Sequence, residues 1–190
     1  GYPTTLGPFQ QLFGGGNTDM CITKFSVDGT ALIYSTYLGG GGNENPHSLV
    51  VNDNDELFVL GSTGSANFPT TANAYDNSFN GGSNWGFIGT YIPYPNGIDI
   101  VVTKFSSNGN NLLSSTFVGG TGNDGINESG ANVYNTSGLC NFYADEYRGE
   151  IILDDAGNCY VASTSKSNDF PMVSASQSTN GGLQDAIAFK

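Results

Sequence analysis

Carboxylates are the most numerous ionisable groups in this chain, and three of them recur in one setting. Asp19, Asp99 and Asp185 each open an apolar run and each follow a Gly-Gly pair, namely Gly15-Gly16, Gly81-Gly82 and Gly181-Gly182. An aspartate so placed suits backbone N–H groups of a crossing loop, and that structural role is expected of all three. One ligand site per repeat is the alternative. A second group, Asn52-Asp53-Asn54-Asp55-Glu56, is rich in oxygen donors, as is Asn123-Asp124-Gly125-Ile126-Asn127-Glu128. Calcium takes such ligands, which makes Asp53, Asp55 and Glu56 the metal candidates. Neither segment has EF-hand spacing, and the first coincides with a hairpin turn that the same residues would build. No cofactor is expected, calcium being the one ion these loops would accept.

Catalysis finds less support. The single histidine, His47, follows Asn45-Pro46, which reads as a loop, and no nucleophile motif flanks it. A carboxylate pair for glycoside hydrolysis is defined by separation in space, and nothing in the spacing singles one out. The chain is therefore expected not to be an enzyme. Cys21, Cys140 and Cys159 form no CxxC pair; Cys21 and Cys159 fall in strand-like runs and read as buried thiols, and a disulfide from Cys140 stays open. The segment Trp85–Ile98 holds Trp85, Phe87, Tyr91 and Tyr94, including the only tryptophan. Such density suits a recognition surface, where aromatic anchors dominate binding energy. It equally suits a flap over an exposed core.

These residues must be carried by strands. Glycine is abundant, with 28 residues, and Thr, Val, Ile, Phe and Tyr outnumber good helix formers, a composition of short strands joined by tight turns. The formal net charge of −12 disfavours nucleic acid and anionic membranes as partners. No apolar run is long enough for a membrane helix. The chain starts at Gly1 without a visible secretory signal and is expected to be a processed or excised piece of something longer.

A repeat organises the elements. Asp19-Met-Cys-Ile-Thr-Lys-Phe25 matches Asp99-Ile-Val-Val-Thr-Lys-Phe105, and Asp185-Ala-Ile-Ala-Phe-Lys190 begins a third copy. Asp28-Gly29 through Gly39-Gly40 matches Asn108-Gly109 through Gly119-Gly120. Val51–Thr63 matches Leu153–Thr164, and Tyr2-Pro-Thr-Thr5, Phe68-Pro-Thr-Thr71 and Phe170-Pro-Met-Val173 correspond. Two insertions, 85–98 and 121–148, interrupt the period.

Each unit offers four strand-like runs: Met20–Ser26, Ala31–Gly39, Ser48–Asp53 and Glu56–Thr63, then Ile100–Ser106, Asn111–Gly119, Glu150–Asp155 and Cys159–Ser165. Asp28-Gly29 and Asn108-Gly109 are strong hairpin signals. The expected fold is all-β, built of β-propeller blades, each a four-stranded antiparallel sheet made from one repeat. Residues 1–18 would be an interblade crossing, 19–98 the first blade, 99–184 the second, and 185–190 the first strand of a third. A ring needs at least four blades, so a fragment of a larger propeller is expected.

The run Lys-Phe-Ser-x-Asp-Gly-Thr-Ala-Leu-x-Tyr-Ser-Thr-Tyr-Leu-Gly-Gly, then Phe-Pro-Thr-Thr, then Gly-Gly-x-x-Asp, resembles the bacterial seven-bladed β-propeller repeat family. The resemblance covers essentially all of the chain outside the insertions, which are longer than the family pattern. It implies large secreted or cell-surface proteins, many exported by the type IX route of gliding bacteria, with binding or adhesive roles and no catalytic residues to carry over. The leading expectation is a noncatalytic module for protein or glycan recognition. A structural subunit of a surface or gliding-associated assembly and a calcium-dependent lectin-like module are the alternatives. Partners would be further blades of the parent chain or other protein chains, and glycans; membrane insertion is not expected.

Overall fold

A computed structural model describes residues 1–86, 92–127, 147 and 149–190. Among these there is no α-helix, and nine strands run in order: β1 (Met20–Phe25), β2 (Leu32–Leu38), β3 (Glu44–Val51), β4 (Leu57–Thr63), β5 (Asp99–Phe105), β6 (Leu112–Val118), β7 (Glu150–Leu153), β8 (Cys159–Ser165) and β9 (Asp185–Phe189). All pairings are antiparallel. Circular dichroism should show a β spectrum with helix below about a tenth of the residues, far under the usual share; substantial helix would contradict the fold.

The turns follow local chemistry. Gly29 and Gly109 take the left-handed conformation that their hairpins need. The β3–β4 turn has no glycine, and Asp55 adopts φ 62° instead. There the Asn52 side chain accepts hydrogen bonds from the Asn54 and Glu56 backbone N–H groups at 3.1 and 2.9 Å.

Strand grouping departs from the expectation of one sheet per repeat. The strands form a two-stranded sheet I (β1-β2), a four-stranded sheet II (β3-β4-β5-β6) and a three-stranded sheet III (β7-β8-β9). Sheet II thus joins the last two strands of the first unit to the first two of the second. The reason lies in the glycine connectors. Gly40 N–H donates to Glu44, Gly41 N–H to Asn67 and Gly42 N–H to Ser65. Those donors dock the connector against the loop leaving β4, so β2 and β3 do not close as a hairpin. The equivalent Gly120, Thr121 and Gly122 donate to Asp124, Asp169 and Ser167.

The sheets stack face to face. Met20, Ile22, Tyr34 and Leu38 of sheet I pack on Leu57, Val59, Val101, Phe105 and Phe117 of sheet II. The opposite face of sheet II, with Phe58, Leu60, Ile100 and Val118, packs on Ile151 and Val161 of sheet III. Sheet II is covered on both sides, and β4 is buried along its whole length. In β1 and β8, by contrast, buried residues alternate with exposed ones, which is the pattern of half-buried strands. Cys21 lies on the uncovered side of β1 and is exposed, and Cys159 is half-buried, so neither is the fully buried thiol expected from the sequence. Cys140 lies outside the described residues.

Candidate functional site

The recurring aspartates hold the Gly-Gly loops. Asp19 accepts the Gly14 N–H at 2.6 Å, Asp99 accepts Asn80 and Gly81 N–H at 2.6 and 3.0 Å, and Asp185 accepts Gly181 N–H at 2.6 Å. Each fixes the entry to the first strand of its unit.

Beside two of them lies a second carboxylate. Glu44 accepts hydrogen bonds from Gly40 N–H at 3.1 Å, Thr63 Oγ1 at 2.6 Å and Ser65 Oγ. Asp124, 80 residues later, accepts Gly120 N–H and Ser167 Oγ, both at 2.7 Å. Asp19 and Glu44 converge on Gly39, where any Cβ would meet both carboxylates at 2.6 Å; Asp99 and Asp124 converge likewise on Gly119 at 2.8 and 2.9 Å. Glu44, Asp99 and Asp124 are at most 1% exposed. Burial pushes Glu44 and Asp99 each up to about 7, and raises Asp19 and Asp124, with the neighbouring carboxylate adding to the rise at Glu44 and Asp99. Two carboxylates sharing a buried site cannot both ionise cheaply, and a retained proton resolves the conflict. Their partners are N–H and O–H donors, and all but the half-buried Asp19 are closed to solvent, so the pairs tie loops to strands.

Sequence reasoning missed Glu44 and marked Asp124 only as part of a calcium-like loop. The available signal was an acid four residues beyond the second glycine of each Gly39-Gly40 and Gly119-Gly120 pair.

The acidic turn also has partners. Lys24 pairs with Asp55 across sheets I and II, and Lys104 pairs with Glu56 at 2.6 Å within sheet II. Asn52 Nδ2 donates to Glu56 at 2.8 Å. The lysine charge beside Glu56 and the Asn52 amide lower its pKa. Among the described residues, no group of three or more His, Cys, Asp or Glu side chains is arranged to hold a metal ion, and Asp53, Asp55 and Glu56 do not converge on one point.

The aromatic candidates divide. Phe87 and Tyr91 lie outside the described residues. Trp85 and Tyr94 close the base of the first insertion through paired backbone hydrogen bonds of 2.9 and 2.7 Å, their rings 5.7 Å apart. Tyr94 is 0% exposed and receives a hydrogen bond from Asn45 Nδ2 on its hydroxyl, so it is a core residue and not a surface anchor. Burial also raises the pKa of its phenol. Tyr147, from the second insertion, meets the Trp85 ring edge-on at 5.8 Å. Ile98 and Ile126 are fully buried in the same cluster, and the Asp124 N–H donates to the Ile98 carbonyl at 2.9 Å. Both insertions are therefore rooted in the core, and residues 121–127, with Asn123, Asp124 and Ile126 buried, belong to it.

His47 borders this cluster. It is the extra residue of a bulge between Pro46 and Ser48 in β3, not part of a loop, and the bulge leaves Pro46 on an edge strand where its missing N–H is tolerated. Its Nε2 contacts Ser62 Oγ at 3.1 Å, its ring lies 6.3 Å from Tyr147, and its buried Nδ1 has no hydrogen-bond partner. Burial depresses His47 to about 4, so the ring is neutral. Ser62 is 0% exposed. The serine of this contact is thus buried, while His47 itself is half-buried.

Fold and site together define an all-β protein of stacked antiparallel sheets, with two insertions joined at one aromatic base. No protein-family model, curated protein or solved structure matches the chain. Among the described residues, no helix is long and apolar enough to cross a membrane.

Proposed function

We propose that this chain is a noncatalytic binding or adhesion module of a secreted or cell-surface bacterial protein, its sheets acting as propeller blades that present the two insertions for protein or glycan recognition. The observation carrying this reading is the meeting of both insertions at Trp85, Tyr94 and Tyr147. Two segments foreign to the repeat converge on one rigid base, which is how scaffolds position variable contact loops. The buried Ser62 and the engagement of the carboxylate pairs by loop N–H and hydroxyl groups support binding over catalysis. The −12 charge directs the search toward neutral or cationic ligands.

Trp85, the only tryptophan, sits at the base of the insertions and serves as the reporter. A glycan array and a panel of surface proteins, screened with and without chelator, should yield a ligand that shifts its fluorescence. Replacing residues 87–91 by a Gly-Ser linker of equal length should abolish that binding while leaving the melting temperature in place. Binding that survives replacement of both 87–91 and 128–146 would refute the proposal. Loss of binding with chelator would select the calcium-dependent reading.

A further inference from the structure

Two faces of the stack carry exposed apolar residues, the first only partly covered, by Tyr2 and Phe13 on Tyr37, and the second only by Lys190 over the Tyr160 ring. On sheet I the uncovered side presents Cys21, Phe25 at 60% exposure and Ile33 at 50%. On sheet III it presents Ile152 at 64%, Tyr160 at 39%, and exposed Ala162, Ala186 and Ala188, which the strand pairings place on one face.

The repeat identifies what each face is made to meet. Cys21 and Phe25 correspond to Val101 and Phe105, which are 1% and 0% exposed because sheet I covers them. Tyr160, Ala162 and Ala186 correspond to Phe58, Leu60 and Ile100, which sheet III covers. Both internal interfaces therefore join a face of the second kind to a face of the first kind. The two uncovered faces are one of each kind. Turn geometry agrees: a Cβ on Gly109 would strike the Tyr34 ring of sheet I at 2.3 Å, whereas the equivalent Gly29 has nothing within 4 Å.

We propose that a second copy of this chain docks head to tail on these faces, its sheet I lying on sheet III of the first. The contact repeats the rule that already stacks sheets I, II and III, and it does not depend on the binding reading above. It is heterologous, so it generates a ring if the rotation closes and a filament if it does not. The occupant's chemistry is that of sheet I, with Phe25 set against the small side chains Ala162 and Ala188. Charge opposes it, since each copy carries a net −12. Screening by salt should therefore strengthen association, the reverse of an ion-paired interface.

Sedimentation of the 190-residue chain at micromolar concentration should show concentration-dependent association that increases with salt. Phe25→Asp and Ile152→Asp should each weaken it by roughly tenfold or more, as loss of a central apolar contact does, with little change in the thermal melt, because both side chains are largely exposed. In a Cys140→Ser, Cys159→Ser background, oxidation should couple native Cys21 of one copy to the thiol introduced by Ala188→Cys in another, seen as covalent dimers and higher multiples without reductant. A monodisperse monomer at all salt concentrations overturns the proposal. So does a dimer linked only through Cys21 to Cys21, which would mean sheet I packing on itself.

Discussion

Phe105→Ala should destabilise the fold by about 3–5 kcal/mol, whereas Phe25→Ala should cost well under about 1 kcal/mol. The two phenylalanines occupy the same repeat position, and only their neighbours differ. Phe105 is 0% exposed, packed edge-on against Phe9 at 5.7 Å, and its removal leaves a cavity between sheets I and II. Phe25 is 60% exposed and leaves none. Urea unfolding of both variants measures the difference. Equal losses would show that sheet I does not cover sheet II as described.

The second large effect is on pH. Glu44 and Asp99 carry folded-state pKa values of about 7, against ordinary values of 4.5 and 3.8. A raised carboxylate pKa means that the folded chain holds protons the unfolded chain has released. Their contribution is complete below about pH 4 and is lost as pH rises through about 7. His47, depressed to about 4, works in the opposite sense: between pH 4 and its ordinary 6.5 the unfolded chain binds the proton, so its contribution is lost on acidification. Glu44 and Asp99 set against His47 leave a loss of about 1.4 kcal/mol per pH unit through the middle of that window, and the raised Asp19 and Asp124 act in the same direction as the two acids. From pH 5 to pH 7 this amounts to about 3 kcal/mol, or a fall in melting temperature of roughly 10 °C. The double variant Glu44→Gln, Asp99→Asn should flatten the slope, because the two largest raised carboxyls are gone and His47 opposes what Asp19 and Asp124 retain. A melting temperature that stays flat in the native chain, or a variant that keeps the native slope, would rule out proton retention at the pairs.

The sequence made the strands legible because period-2 patterning and Asp-Gly or Asn-Gly turns are local signals. It also made the hairpins β1–β2 and β5–β6 legible. It could not reveal which hairpins share a sheet. The β2–β3 connector, five residues long, looks like a hairpin loop, yet its N–H groups are claimed by Glu44, Ser65 and Asn67. The β4–β5 pairing spans residues 64–98, too far for any local pattern. Burial was misjudged where tertiary neighbours decide it. Tyr94 and Ile98 read as parts of a surface segment and are core, and Cys21 reads as core and is exposed. The partner carboxylates escaped notice because Glu44 and Asp124 are different letters doing one job.

The half-unit offset between repeat and sheet bears on how the chain is made. As synthesis proceeds from the N-terminus, the β3–β4 hairpin emerges complete, but β4 finds its second neighbour only after residues 64–98 have followed. At about 5–20 residues per second that delay is on the order of a few seconds. Throughout it a strand destined for burial along its whole length keeps an open hydrogen-bonding edge. Such an edge invites mispairing with the corresponding strands of other units or other nascent chains. Export before folding, or a holdase that shields β4 on the ribosome, would shorten that exposure.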